Sequence, residues 1–284
     1  MGAGTVLFCV GATKAGTGWL YERLAEHPDC HFRSIKELHY FSALENGTLD
    51  REISKHENRQ AVLAKKVEAA GPRKALGEAM RLQDRTEWLG VLTRGEDTRA
   101  YLTYLNGGRT TEAVVGDITP AYALLPGTRL KQMAALTPKV RFVYVLRDPV
   151  DRIWSHIRMI AARREPSGEV TADRAGRILR RTLRGQESQI ARRSDYAGNL
   201  ARLGNAVGDA LCVPFYEDLF SGRGLAQIAD HLGIGPFRGP IDAVVHPGQA
   251  LELLPEQRLA LRDWLAPQYE YVERELGPVP DAWR

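Results

Sequence analysis

Residues 6–24, VLFCVGATKAGTGWLYERL, constrain this chain more than any other stretch. An apolar run leads into a loop carrying Gly11, Gly16 and Gly18 around a single lysine, Lys14, and a helical pattern follows directly. That order brings backbone N–H groups and the positive end of a helix dipole to one point, the arrangement that cradles phosphate. Three more apolar runs, at 114–116, 140–146 and 210–215, are separated by helical patterns. Together with 6–10 they predict an α/β fold, a parallel sheet with crossover helices on its faces and a P-loop-like nucleotide-binding loop.

The loop departs from the GxxxxGK[ST] pattern in one respect. Gly11 and Gly16 have the right spacing, but Lys14 sits inside the loop and Gly16 is followed directly by Thr17. The lysine that would reach β- and γ-phosphates is missing from its place. Downstream, the pattern predicts a helix over 17–26 ended by His27-Pro28, and inserted helices over 51–70 and 86–105. After the 140–146 strand comes RDP, with Asp148 as helix N-cap and Pro149 at the first helical position, opening a helix to about residue 164. The tail, 254–276, is helical with room for a kink at Pro267. Without repeats or low-complexity linkers, 1–284 is read as one domain with a helical insert at about 42–112 and an arginine-rich helical segment at about 163–193.

Composition narrows the classes. A formal charge of +4 is far below the concentration of charge in nucleic-acid binders, so no nucleic-acid partner is expected. Locally, 163–193 holds nine arginines against four acidic residues. That stretch is either a solvated helix face or an edge that meets an anionic substrate. Cys9, Cys30 and Cys212 form neither a disulfide framework nor a CxxC pair, and Cys9 and Cys212 lie in apolar runs as small core residues. The first apolar run feeds the glycine loop and is no signal peptide, and Val6 spoils a myristoylation pattern. No stretch reaches the roughly 18 apolar residues of a membrane span. The default expectation is a cytoplasmic protein.

Three stretches together resemble the sulfotransferase family that uses 3′-phosphoadenosine 5′-phosphosulfate (PAPS). KAGTGWL at 14–20 is similar to the family's 5′-phosphosulfate loop, and YVLRDPVDRIWSHI at 144–157 to its 3′-phosphate strand-and-helix element. KELHYF at 36–41 resembles the KExHFF run of the glycan-modifying, heparan-sulfate-type branch. Weaker echoes are GDITPAY at 116–122, SDYAGNL at 194–200 and YEDL at 216–219. The resemblance runs in family order from residue 6 to about 234. It implies PAPS as donor, adenosine 3′,5′-bisphosphate as product and no metal.

The residue chemistry suits that implication. Sulfuryl transfer needs cations and N–H donors where charge develops on the leaving oxygen. Lys14 can reach that oxygen, and N–H groups of Ala15, Gly16, Thr17 and Gly18 can hold the 5′-phosphate. By the resemblance, Arg147 and Ser155 hold the 3′-phosphate, Trp19 stacks on adenine, and Tyr196 also touches the adenine side. The alternative for the aromatics is plain core packing. Glu37 is the implied base for the acceptor, with His39 orienting it or acting as base itself. Lys36 contacts either the substrate or solvent.

Two departures stand out. GDITPAY carries Ile118 where the glycan branch has a lysine, and Asp117 either supports a hydroxyl or a cation or caps the turn at Thr119-Pro120. PFRGPIDAVVHPG, with Arg238, stands where the family's C-terminal phosphate loop is absent. The expected function is transfer of the sulfuryl group to a hydroxyl or amine of an unidentified small-molecule or saccharide acceptor. The alternatives are a Mg²⁺-dependent P-loop kinase and a non-catalytic nucleotide-binding protein. The residues say nothing of oligomeric state.

Overall fold

A computed structural model describes residues 4–165, 167–238 and 251–284. Strand β1 (Thr5–Gly11) is buried along its whole length, as a strand covered on both faces must be. It pairs in parallel with β3 (Val114–Ile118) on one side and β4 (Val140–Tyr144) on the other. The sheet is completed by β2 (Cys30–His31) and β5 (Leu211–Cys212) in the order β2-β3-β1-β4-β5, every pair parallel. This is the expected α/β architecture, a five-stranded parallel sheet flanked by helices.

Helix α1 (Thr17–Ala25) follows the glycine loop, and α2 (Tyr40–Glu45) follows the KELHYF run. The insert comprises α3 (Leu49–Ala69), α4 (Pro72–Leu92) and α5 (Thr98–Asn106). The single helix expected over 86–105 is thus two helices. Gly95 takes φ 70° between them, and Asp97 caps α5 by accepting from the Ala100 N–H at 2.9 Å. The edge strand β2 has no counterpart in the sequence reading, because two residues leave no periodicity to detect. Helix α6 (Gly127–Ala134) leads to β4. Beyond Tyr144 the expected strand persists as single contacts, Val145 with Gly11 and Leu146 with Phe215.

Helix α7 (Pro149–Arg163) begins as expected, Asp148 accepting from the Asp151 N–H at 2.8 Å. There follow α8 (Ala172–Leu183), α9 (Ser188–Ser194), α10 (Tyr196–Val207), α11 (Tyr216–Leu219) and α12 (Arg223–Leu232). Helix α13 (Pro255–Leu276) runs through Pro267 without interruption. One apolar cluster surrounds the sheet, and a second joins α7, α8, α9 and α13 through Ile153, Ile178, Ile190 and Leu261. The sequence crosses from β3 on one side of β1 to β4 on the other. A crevice therefore opens at the C-terminal ends of the strands, where open α/β sheets take their ligands.

Candidate active site

The loop after β1 is held in an unusual shape. Lys14 takes φ 73° and Gly16 φ 78°. A β-carbon on Gly16 would lie 2.7 Å from the Tyr216 ring, so both conformation and space demand glycine there. Gly16 is also the N-cap of α1 and gives it no side-chain cap. The first N–H groups of α1, from Thr17 onward, have no acceptor within the helix and stand just past the C-terminal end of β1. Two arginines fix the loop through its carbonyls. Arg147 donates from Nη1 to the Lys14 carbonyl at 3.1 Å, and Arg152 from Nη1 to the Thr13 carbonyl at 3.3 Å.

Positive charge accumulates around this backbone. Burial, then the charges of Arg147, Arg158, Arg163 and Lys36, push the Lys14 ammonium below the usual lysine range. Lys36 arrives from the base run: a β-carbon on Gly18 would stand 3.2 Å from its Nζ. Arg152 is fully buried, bonds to Ser194 Oγ, and leaves its Nε without a partner. His156, one turn further on α7, is held neutral with a pKa of about 2 by burial and by Arg152, Arg193, Lys14 and Arg163. Among the described residues Lys14, Arg147 and Arg152 form no ion pair with a carboxylate. So dense a set of uncompensated cations suits a polyanion.

Arg147 leaves the end of β4 and stacks its guanidinium 4.7 Å from the centre of the Tyr216 ring. Tyr196 clamps its backbone, donating to the Arg147 carbonyl at 2.8 Å and accepting from the Arg147 N–H at 3.3 Å. Tyr196 is fully buried. The structure therefore places it behind Arg147 as a support. Trp19 is 4% exposed and packs on Phe220 at 4.9 Å between ring centres, which is the core-packing alternative. Ser155, at the edge of burial, lies on α7 one turn before Arg158.

Across the crevice, Glu37 and His39 both adopt left-handed backbone, φ 60° and 57°. Their side chains meet, Glu37 Oε2 lying 3.4 Å from His39 Nε2, and Glu37 Oε1 lies 3.7 Å from Lys36 Nζ. Burial pushes the Glu37 carboxyl up, but the His39 contact and the charges of Lys36 and Arg163 outweigh it and hold the carboxyl below the ordinary range. Asp117, at the end of β3, does not cap the turn. Its buried carboxylate accepts the hydroxyls of Thr119, Tyr122 and Tyr101 at 2.6, 2.8 and 2.9 Å.

Residues 7–221 match the model of a sulfotransferase family. The chain belongs to the sulfotransferase family. No curated protein sequence matches it. The crystal structure of a sulfotransferase from Alicyclobacillus acidocaldarius is similar over 100% of both chains, with a TM-score of 0.64 and 21% identity. The sulfotransferase domain of the Synechococcus PCC 7002 olefin synthase is similar over 97% of this chain and 96% of its own, with a TM-score of 0.55 and 18% identity. At these identities the two structures speak for the fold.

The arginine-rich segment of this sulfotransferase divides in two. Arg164 and Arg181 both bind Glu187 at 2.9 Å, Arg174 binds Glu165 at 2.7 Å and Arg177 binds Asp173 at 3.1 Å. These are ties within a helical face whose other side, Ile178 and Leu179, is buried. Arg163 and Arg193 are different, since their charges act on the Lys14, Glu37 and His156 groups of the crevice. Arg152 and Tyr216 escaped the sequence reading as site residues. The signals were present in RDPVDR and YEDL, but nothing in a linear string shows which arginine is buried without a carboxylate. Of PFRGPIDAVVHPG, Arg238 is exposed and positions 239–248 lie outside the described residues. All three cysteines are buried and unpaired. Among the described residues no His, Cys, Asp and Glu cluster could hold a metal ion, and no helix is long and apolar enough to cross a membrane.

Proposed function

We propose that this sulfotransferase moves the sulfuryl group of PAPS to a hydroxyl or amine of its acceptor. The observation that carries the reading is the meeting of uncompensated cations with the uncapped start of α1, opposite a carboxylate–imidazole pair. PAPS supplies the group transferred. The residues fit it, since burial and then neighbouring positive charge drive the Lys14 pKa down and Arg152 is buried without an acid, and both gain from a bound polyanion.

Glu37 takes the proton from the acceptor, and its lowered pKa keeps it ionised at neutral pH. The acceptor oxygen or nitrogen then attacks sulfur in line. Lys14 stabilises the oxygen from which the sulfuryl group departs, while N–H groups from Ala15 to Gly18 hold the 5′-phosphate. Arg147 offers its guanidinium fork to the 3′-phosphate, with the Ser155 hydroxyl as second donor. His39 orients Glu37. Lys36 Nζ, poised near Gly18, neutralises the sulfuryl oxygens.

Calorimetry tests the donor. Adenosine 3′,5′-bisphosphate should bind tightly without metal, and ATP with Mg²⁺ weakly; the reverse preference would make the chain a kinase. Adenosine 5′-phosphosulfate, which lacks the 3′-phosphate, should be a poor donor, and equal rates would remove Arg147 and Ser155 from the assignment. The acceptor is sought with radiolabelled PAPS and cell extracts, the Glu37→Gln protein serving as blank. Saccharides come first, because the KELHYF run folds into the Glu37–His39 contact.

A further inference from the structure

The loop carrying Glu37 and His39 raises a mechanical question. Two residues of sparsely populated left-handed backbone, one apart, persist only where the surroundings over-determine them. What determines them is a chain of hydrogen bonds leading away from the crevice. The His39 ring meets Ser42 Oγ at 3.3 Å, and Ser42 Oγ donates to the His39 carbonyl at 3.0 Å. The His39 N–H donates to Thr119 Oγ1 at 3.4 Å, and the Thr119 hydroxyl donates to Asp117 Oδ1 at 2.6 Å. Tyr101, from the inserted helix α5, and Tyr122 take the other carboxylate oxygen.

A hydroxyl has one proton and two lone pairs. An ionised carboxylate accepts only, so it claims the Thr119 proton and leaves the Thr119 oxygen free to accept. We propose that Asp117 is a positioning residue of the base loop: through Thr119 it fixes the His39 backbone N–H and so keeps the His39 ring against Glu37. The inference rests on Glu37 being the base. Asp117 is buried, and its carboxylate accepts three hydroxyls, those of Thr119, Tyr122 and Tyr101.

The test compares Thr119→Val, Thr119→Ser and Asp117→Asn with the full-length protein. Carbon-13 NMR follows the Glu37 carboxyl, assigned by its loss in Glu37→Gln, and amide exchange follows the His39 N–H. The charges facing Glu37 are Lys36 and His39 on its own loop, Arg163 of α7 and Arg193 of α9. Neither Thr119 variant changes a charge among them, so the shift in that pair reads the His39 contact, whereas Asp117→Asn also removes a charge that acts on His39. In Thr119→Val the Glu37 midpoint should rise by roughly half a pH unit or more, and His39 exchange should quicken about tenfold or more. Thr119→Ser should restore both, and Asp117→Asn should shift both in the direction of Thr119→Val. Adenosine 3′,5′-bisphosphate affinity should stay within about twofold, showing the donor side intact.

Wild-type titration and exchange in Thr119→Val would overturn the proposal. So would a loss of bisphosphate affinity in step with them, because that is general damage. If Asp117→Asn does not fold, the Thr119 pair decides. Failure of the base reading looks different: Glu37→Gln would keep sulfuryl transfer to an acceptor from the screen while the Thr119→Val shift persisted.

Discussion

The loop after β1 and the segment from Arg163 to Arg193 both concentrate positive charge, but they dispose of it differently. In the segment, Arg164, Arg174, Arg177 and Arg181 each find a carboxylate at ion-pair distance, and their heads are in contact with solvent. Around the loop, Arg147 and Arg152 find carbonyls, a ring face and a hydroxyl, and among the described residues neither they nor Lys14 pairs with a carboxylate. The difference teaches that charge density along a chain does not mark a site; charge left uncompensated on folding does. Buried cations without acids are costly in the free protein, and a bound anion relieves that cost.

The comparison can be broken most decisively at Lys14. Lys14→Met should lower turnover by about 10²–10³, the typical loss when a donor to a developing oxyanion is removed, while bisphosphate binding survives. A variant that keeps wild-type turnover would demote the loop to a binding element. Next in size, Arg147→Lys keeps the charge but loses the fork and the stack on Tyr216. Calorimetry should show bisphosphate bound about 10- to 100-fold more weakly, the range for charge-assisted hydrogen bonds.

A third measurement sharpens the cost of crowding cations. Burial and four neighbouring cations depress His156 from 6.5 to about 2. Below pH 6.5 the unfolded chain takes up a proton that the folded one refuses. Stability is therefore whole above that pH and is lost as pH falls toward 2. His156→Gln should flatten the decline by up to about 1.4 kcal/mol per pH unit, read from chemical unfolding of the free protein at pH 7, 6 and 5. An unchanged slope would show that the crevice cations do not act on His156. The smallest effect belongs to the paired segment. Arg164→Gln should cost less than about 1 kcal/mol and leave bisphosphate affinity alone; an effect on affinity comparable to that at Arg147 would erase the distinction between the regions.

Most of the sheet was legible, because a doubly covered parallel strand needs an unbroken apolar run, and β1 and the core of β4 are such runs. The order of elements around the glycine loop and the start of α7 were legible for the same local reasons: glycine at positive φ, Asp148 as cap, Pro149 at the first position. The β2 edge and the break between α4 and α5 were not. The first is too short for periodicity, and the second depends on Gly95 turning a charged, helix-like string into two helices.

By itself the sequence determined what loop and helix would follow the central strand β1, because glycines, caps and apolar runs act over a few residues. Only the tertiary structure decided which of many arginines lost their acids, that Tyr196 stands behind Arg147, and that Asp117 reaches His39 through Thr119. Those outcomes depend on distances between residues far apart in the chain, and burial turns such distances into energies.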